Sequence, residues 1–287
     1  MDSIWINAPA KINIGLDVLR RREDGYHEVK MIMQSIRLFD RLTLTKTSTP
    51  GIQLHTNLHF LPVDKDNLVY RSAKLLMDEF HIEGGIDINL DKHIPVAAGM
   101  AGGSTDAASC LLAMNELYEL GLSKKSLMRR GVTLGADIPY CILKGTALSE
   151  GIGEKLSTIP KTPDCFILIA KPGIHVSTKF VYTNLVLDEH TVHPDIDRMI
   201  EAMKKKDLYD LCANMGNVLE SVTIPAHPEI ATIKECMMEH GALGSLMSGS
   251  GPTVFGIFDD YDKAVLAKEK CRALPYRCFV FVTDLYR

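Results

Sequence analysis

The sequence predicts an α+β chain in two layered domains, and three observations carry that expectation. Strand-like and helical segments mix along the chain without a regular strand–helix–strand repeat, which argues against a doubly wound parallel sheet. The chain has 287 residues, enough for one large domain or two modest ones that bury a core without staples. Its texture changes over residues 157–164, where Pro160 and Pro163 interrupt a stretch of low hydrophobicity. The expected domains are therefore 1–158 and 159–287.

Residues 5–7, 12–19, 29–38 and 42–45 are β-rich and bounded by turn signals such as Glu23, Asp24 and Gly25. Asp66 is placed to cap a helix whose apolar stripe is Val69, Ala73, Leu76 and Phe80. Ile86, Ile88 and Leu90 alternate as in a short strand. A glycine-rich loop then runs into a helical pattern carrying Ala107, Ala108, Leu111, Leu112 and Tyr118, with Gly121 as its stop and Ser123 as the next cap. Past the boundary, residues 165–170 read as a buried strand, and 196–206 and 228–240 as helices, the second stopped by Gly241. Residues 245–258 resemble two apolar strands around a tight glycine turn. A helix over 263–272 and a strand over 278–282 complete the reading.

Composition narrows the function classes. The chain is 46% hydrophobic and 24% charged, as soluble globular chains are. A net charge of −4 argues against a binder of nucleic-acid polymers and against a polybasic membrane adaptor. It says little about small polyphosphates, which are held locally. The apolar stretch 4–19 is broken by Asn7, Lys11, Asn13 and Asp17, so it does not read as a signal peptide. There is no apolar run long enough to span a membrane. The seven cysteines are odd in number and lack a Cys-x-x-Cys pair, so a reduced cytoplasmic chain is expected rather than a zinc site or disulfide framework.

The loudest local signal is the loop Pro95, Val96, Ala97, Ala98, Gly99, Met100, Ala101, Gly102, Gly103, Ser104 and Thr105. Small residues let the backbone bend and a ligand approach. The loop ends at a helix N-terminus, whose unpaired N–H groups favour an anion. No lysine follows the last glycine, so it is not a Walker A loop, and its spacing is not that of a dinucleotide fold. It reads either as a close-packed turn capped by Ser104 or as a phosphate cradle made mostly of backbone. A second segment, Ser248, Gly249, Ser250, Gly251 and Pro252, is a hairpin turn by itself and a candidate second wall beside the first.

Lys11 is a charge within an apolar strand, either at an edge or aimed into a site, and Asn13 shares its face. Asp137, before Ile138 and Pro139, is either a turn former or a carboxylate paired with Lys11. Such a pair would keep the aspartate ionised as a base and direct the ammonium at a transferring phosphoryl group. Tyr26 and His27 form an aromatic turn flank or a pair that grips a flat, hydrogen-bonding ring. Arg20, Arg21 and Arg22 read as a solvated face near that pair, with a phosphate role open.

In combination, the segment Pro9, Ala10, Lys11, Ile12 and Asn13, the loop 95–108 and the segment 246–252 resemble the three motifs of the GHMP small-molecule kinases. The segments 22–28, 66–68, 135–139 and 150–154 resemble the branch acting on a cytidine-diphosphate-linked methylerythritol, and the likeness runs from about residue 8 to at least residue 258. The resemblance implies a ribosomal-protein-S5-like N-terminal α+β domain, a ferredoxin-like C-terminal α+β domain and a nucleotide held between them. It implies ATP-dependent phosphorylation of the substrate's tertiary 2-hydroxyl in the non-mevalonate isoprenoid route. Lys11 and Asp137 fall on the catalytic pair. Asn13, Tyr26 and His27 fall on substrate positions, His27 reading the cytosine edge, and Tyr182 falls where an aromatic stacks on cytosine. Residues 95–105 fall on the ATP loop, with Asn67 and Lys92 at its adenine side. Mg2+ is expected to bridge the phosphates through waters and hydroxyls, with no protein ligand assigned. The expected partner is the small-molecule substrate alone, with no nucleic acid, no membrane, and a monomeric or weakly homodimeric chain.

The loop departs from the family's usual run of glycines at Ala101, where a negative φ is therefore expected, and carries Thr105 in place of a serine. Two alternatives remain. Another GHMP kinase, acting on mevalonate, phosphomevalonate, homoserine or a sugar, has no reason to carry Tyr26 and His27. A catalytically inactive nucleotide-binding GHMP fold predicts loss of Lys11 or Asp137, and both are present.

Overall fold

Two long strands open the chain, β1 (Ser3–Arg21) and β2 (His27–Thr47), joined by a turn in which Arg22 pairs with Asp24 and Gly25 takes a φ of +85°. The computed structural model describes residues 2–287. β3 (Gly51–Thr56), α1 (Leu68–Glu79), β4 (Gly85–Asp91), α2 (Gly102–Leu117), α3 (Lys124–Gly131) and α4 (Ile138–Leu143) follow. Next come β5 (Thr146–Gly151), β6 (Lys155–Thr158), β7 (Phe166–Pro172), α5 (Thr178–Asn184), α6 (Ile196–Lys205), α7 (Leu208–Ala213), α8 (Glu220–Ala226) and α9 (Glu229–Glu239). β8 (Gly244–Met247), β9 (Val254–Phe258), α10 (Tyr261–Arg272) and β10 (Cys278–Asp284) end it.

Both opening strands run unbroken where the sequence suggested shorter pieces. In β1 the period of two explains this. Ile12, Ile14, Leu16 and Val18 bury one face, and the polar residues Lys11, Asn13 and Asp17 lie on the opposite face, also buried. The polar residues therefore do not interrupt the strand. Two boundaries differ for local reasons. Asn67, not Asp66, caps α1, its Oδ1 accepting from Val69 N at 2.9 Å, while Asp66 is held one residue earlier by Asp64. α2 stops at Leu117, short of Gly121, because Asn115 turns its side chain onto Leu122 and Glu119 enters the left-handed region. The short strand β3 was not anticipated from the sequence.

The residues form two compact units. One consists of residues up to Ala10 together with Leu38–Val96 and Ala101–Lys144. In it, the later half of β2 pairs antiparallel with β4 (Arg41 opposite Asp91), and β4 pairs parallel with β3. Leu42, Leu44, Ile86 and Ile88 are fully buried in these strands, as are Leu76 of α1 and Ala107, Ala108, Leu111 and Met114 of α2. The other unit consists of Lys11–Arg37, Ala97–Met100 and Gly145–Arg287. Here the earlier half of β2 pairs antiparallel with β5, and β5 with β6. A second, four-stranded antiparallel sheet has the order β10-β7-β9-β8. Its strand–helix–strand–strand–helix–strand course and strand order are those of a ferredoxin-like sheet. The units interleave along the chain, whereas the sequence suggested a single cut at 158. β1 and β2 each contribute to both, so no linker composition could mark the division.

Candidate active site

The polar face of β1 organises the first cluster. Lys11 is only 5% exposed, and a buried ammonium needs acceptors to offset its lost hydration. Its Nζ donates to Asn13 Oδ1 at 2.6 Å and to the Gly99 carbonyl at 3.1 Å, and its backbone N–H donates to Met100 O. The shared face of Lys11 and Asn13 is therefore a direct contact, and Lys11 does not face water. Ser248 Oγ donates to the same Gly99 carbonyl at 3.0 Å, so the two glycine segments meet there. Gly99 has a φ of +70°, and a Cβ on it would lie 2.2 Å from Ser248 O. Only glycine permits that approach.

The second cluster lies at the start of α2. Ala101 is the residue before the helix and sits at φ +54°, ψ +31°, with no side-chain cap. This corrects the expectation of a negative φ. The position is left-handed because Ala101 must turn the loop into the helix and offer its carbonyl to Thr105 N at 2.9 Å. Ser104 lies inside the first turn and does not cap α2. The leading N–H groups of the helix thus have no intrahelical partner, as an anion site requires.

Beneath that turn, Lys92 is buried against two carboxylates, Asp106 at 2.7 Å and Asp40. Asp40 also accepts from the backbone N–H groups of His93 and Ile94. A Cβ on Gly102 would lie 3.2 Å from Lys92 Nζ, so the helix start rests directly on this ion group. Burial opposes charge on Lys92, but Asp106 and Asp40 together outweigh it and raise its pKa. Burial pushes the Asp106 carboxyl well above the usual range, with Lys92 pulling it back and Asp40 adding to the rise. Lys92 therefore supports the loop from below. Asn67, the other residue expected at the adenine side, caps α1 and donates to Pro62 O.

The third cluster is a cavity of about 450 Å3 lined by Arg21, Tyr26, His27, Lys179 and Tyr182, among others. The His27 and Tyr182 rings are 5.1 Å apart and tilted by 38°. Tyr182 is carried by α5, which Ser177 caps through Phe180 N. Burial, and then the charge of Arg21, lower the His27 pKa, which favours a neutral ring able to donate from one nitrogen and accept at the other. Asp137 stands immediately before α4, half-buried, with no side-chain capping bond and with Pro139 in the first turn. Its local setting is the turn that its neighbours suggested.

Among the described residues, no group of three or more His, Cys, Asp or Glu side chains is arranged to hold a metal ion. The oxygen chemistry of the loop does suit magnesium: Thr105 Oγ1 in the first turn of α2 is buried without a hydrogen-bond partner. No helix of the described residues is long and apolar enough to cross a membrane.

The family models for the GHMP kinases N terminal domain and the GHMP kinases C terminal match residues 67–145 and 199–277. A 4-diphosphocytidyl-2-C-methyl-D-erythritol kinase from Lachnoclostridium phytofermentans is 54% identical over 286 residues, covering 100% of this chain and 98% of the relative. The chain belongs to the 4-diphosphocytidyl-2-C-methyl-D-erythritol kinase family. Its fold agrees with the crystal structure of a 4-(cytidine 5'-diphospho)-2C-methyl-D-erythritol kinase at a TM-score of 0.84 and 33% identity, covering 99% of this chain and 100% of that one. A homoserine kinase from Cytophaga hutchinsonii shares the fold at a TM-score of 0.82 but only 20% identity, covering 99% of this chain and 95% of that one. The GHMP motifs read from the sequence are thus those of this kinase family.

Sequence reasoning missed several groups that build these clusters. Asp40 lies beside Arg41 and Asp106 follows the polar end of the glycine loop, so neither stood out as a lone charge in an apolar strand as Lys11 did. Ser248 lay in a segment already singled out. Asn217, whose side chain donates to Met247 O and Gly249 O, gave no signal, because its partners are backbone atoms distant in sequence.

Proposed function

We propose that the chain transfers the γ-phosphoryl group of ATP to the 2-hydroxyl of 4-diphosphocytidyl-2-C-methyl-D-erythritol. The chain is a kinase of this family, with a role in isoprenoid precursor synthesis, and ATP is its co-substrate. The observation that carries the substrate assignment is the full-length 54% identity with a relative of that name. The His27 and Tyr182 rings, tilted against each other in a cavity with Tyr26, support it as an aromatic surface for a flat base.

In this reading the 95–105 loop and the start of α2 receive the ATP phosphates on backbone N–H groups. Asp137 accepts the proton of the attacking hydroxyl. Lys11, held by Asn13 and Gly99, offsets charge that develops on the phosphoryl group. Asn13, Tyr26, His27 and Tyr182 hold the cytidine substrate. Lys92 and Asn67 contribute by fixing the nucleotide side of the loop. Magnesium would supply positive charge on the phosphates, and the hydroxyls of Ser104 and Thr105, with water, would hold it. The chain works in the cytoplasm as a monomer or weak homodimer, apart from nucleic acid and membranes.

A coupled ADP-release assay over cytidyl-methylerythritol, mevalonate, phosphomevalonate, homoserine and sugar substrates tests the assignment. Turnover is expected only with the first, and equal or greater turnover with another would overturn it. Asp137→Asn is expected to lower kcat by about three orders of magnitude with ATP affinity nearly unchanged. Wild-type turnover in that variant removes the base assignment. Tyr182→Ala is expected to raise KM for the cytidyl substrate several-fold and leave KM for ATP alone. An unaltered KM would take Tyr182 out of the site.

A further inference from the structure

Asn217 is 7% exposed, and three hydrogen bonds tie its side-chain amide to backbone. Nδ2 donates to Met247 O and to Gly249 O, both at 2.8 Å, and Oδ1 accepts from Leu219 N at 3.0 Å. An amide has two donor hydrogens, and here both are spent on the two carbonyls flanking Ser248. The chain on either side is clamped to β1: Leu16 N donates to Gly216 O at 2.9 Å and Val218 N to Leu16 O at 3.0 Å. Glu220, three residues on, accepts from Met247 N at 2.7 Å. The peptide groups on both sides of Met247 are therefore held from one short segment.

We propose that Asn217 is a positioning residue for phosphoryl transfer, holding the second glycine turn so that Ser248 fixes the Gly99 carbonyl and, through it, the Lys11 ammonium. The proposal rests on the reading of Lys11 given above. The relay is short. Asn217 sets the carbonyls on either side of Ser248; Ser248 Oγ donates to Gly99 O at 3.0 Å; and Lys11 Nζ donates to that same oxygen at 3.1 Å. Gly249, at φ +59°, brings the turn close enough that a Cβ there would lie 3.4 Å from Gly99 O and 3.6 Å from Asn13 Oδ1. The turn thus abuts the Asn13 and Gly99 oxygens that accept from the ammonium. Because the same segment is bonded to β1 at Leu16, Asn217 ties the strand that carries Lys11 to the turn that limits where its ammonium can go. Neither Asn217 nor Ser248 lines the cavity of His27 and Tyr182, and their hydrogen bonds go to backbone carbonyls and to Leu219 N rather than to Asn13, so the effect on catalysis is separable from cytidyl binding.

The test is steady-state kinetics on the full chain with Asn217→Asp, Ser248→Ala, the double variant, and Lys11→Ala. Aspartate keeps the acceptor for Leu219 N and nearly the same shape, but replaces the donor amine with an oxygen facing two carbonyls. Asn217→Asp is expected to lower kcat roughly 10- to 100-fold, the scale of a small misplacement of a catalytic group, with KM for the cytidyl substrate within twofold. Ser248→Ala is expected to lower kcat at least threefold. The double variant is expected to be no more than twofold slower than Asn217→Asp alone, because both act through one carbonyl. A kcat for Asn217→Asp within twofold of wild type, or losses that multiply in the double variant, overturns the proposal. A loss confined to melting temperature does the same. If Asn217→Asp does not fold, Ser248→Ala decides alone, and an unchanged kcat refutes the relay. Lys11→Ala separates the two readings: full turnover there refutes the role of Lys11, whereas a large loss there with no effect at Asn217 refutes only the positioning role.

Discussion

Replacing Gly99 by alanine puts the meeting point of the two glycine segments under direct test. At φ +70° an alanine costs about 1–2 kcal/mol through its Cβ alone. That Cβ would stand 2.2 Å from Ser248 O, while a tolerated carbon–oxygen contact is about 3.3 Å, so a gap of about 1 Å must open. The Ser248 turn is not free to yield, because Ser248 N is bonded to Thr253 O at 2.8 Å and Asn217 holds the carbonyls on both sides. The loop moves instead, and Gly99 O leaves both Lys11 Nζ and Ser248 Oγ. A lost neutral hydrogen bond costs about 0.5–1.5 kcal/mol and one to a charged group about 1.5–3 kcal/mol. Together with the backbone strain this predicts a loss of about 3–6 kcal/mol, or a Tm roughly 6–20 °C lower for a chain of this size. With Lys11 displaced, kcat is expected to fall about 100-fold. Calorimetry and steady-state kinetics read both. A variant with Tm within about 2 °C and kcat within twofold of wild type would refute the reasoning, since it would show that the turn gives way without cost. Ala101→Gly is the matched control for backbone strain: at φ +54° it relieves strain, and Tm is expected to rise slightly.

Other outcomes follow from the remaining clusters. Lys92→Met leaves Asp40 and Asp106 buried without their shared cation and is expected to cost about 3–5 kcal/mol in denaturant unfolding. Adding Asp106→Asn should recover part of that, because Asp40 keeps its two backbone donors; no recovery would mean the carboxylates do not interact. Arg21→Gln is expected to raise the His27 pKa toward its ordinary value, read by NMR titration of the ring, because one of the two causes depressing it is gone. The sign for stability follows. A histidine whose folded pKa is depressed contributes stability above its unfolded pKa, near 6.5, and that contribution is lost as pH falls through the lower folded value. Wild-type protein should therefore lose stability on acidification in that window more steeply than Arg21→Gln; identical pH profiles would contradict this.

Much of the site was legible in the chain itself because its signals are local. The period of two in β1 put Lys11 and Asn13 on one face, and the structure joins them at 2.6 Å. The run of small residues before α2 marked a loop that ends on unpaired N–H groups, and the left-handed Ala101 shows that composition alone could not set each φ there. His27 and Tyr182 illustrate the limit. They are far apart in sequence, and only the resemblance to a family linked them before their rings were seen 5.1 Å apart.

By itself, the sequence determined the types of its most strongly patterned elements, the mixed α+β class, the family, and several of the residues that carry charge or glycine at the clusters. These follow from periodicity, propensity and motif order, which act over a few residues. Tertiary structure alone decided how the chain divides, since two strands that read as ordinary β segments run through both compact units. It alone decided that Lys92 lies between two carboxylates, that Ser248 donates to the carbonyl that accepts from Lys11, and that Asn217 holds the carbonyls on either side of Ser248. Those contacts bury charge and backbone polar groups brought together from distant parts of the chain. The cost of leaving such groups unpaired is what selects their partners, and that cost exists only once the chain is folded.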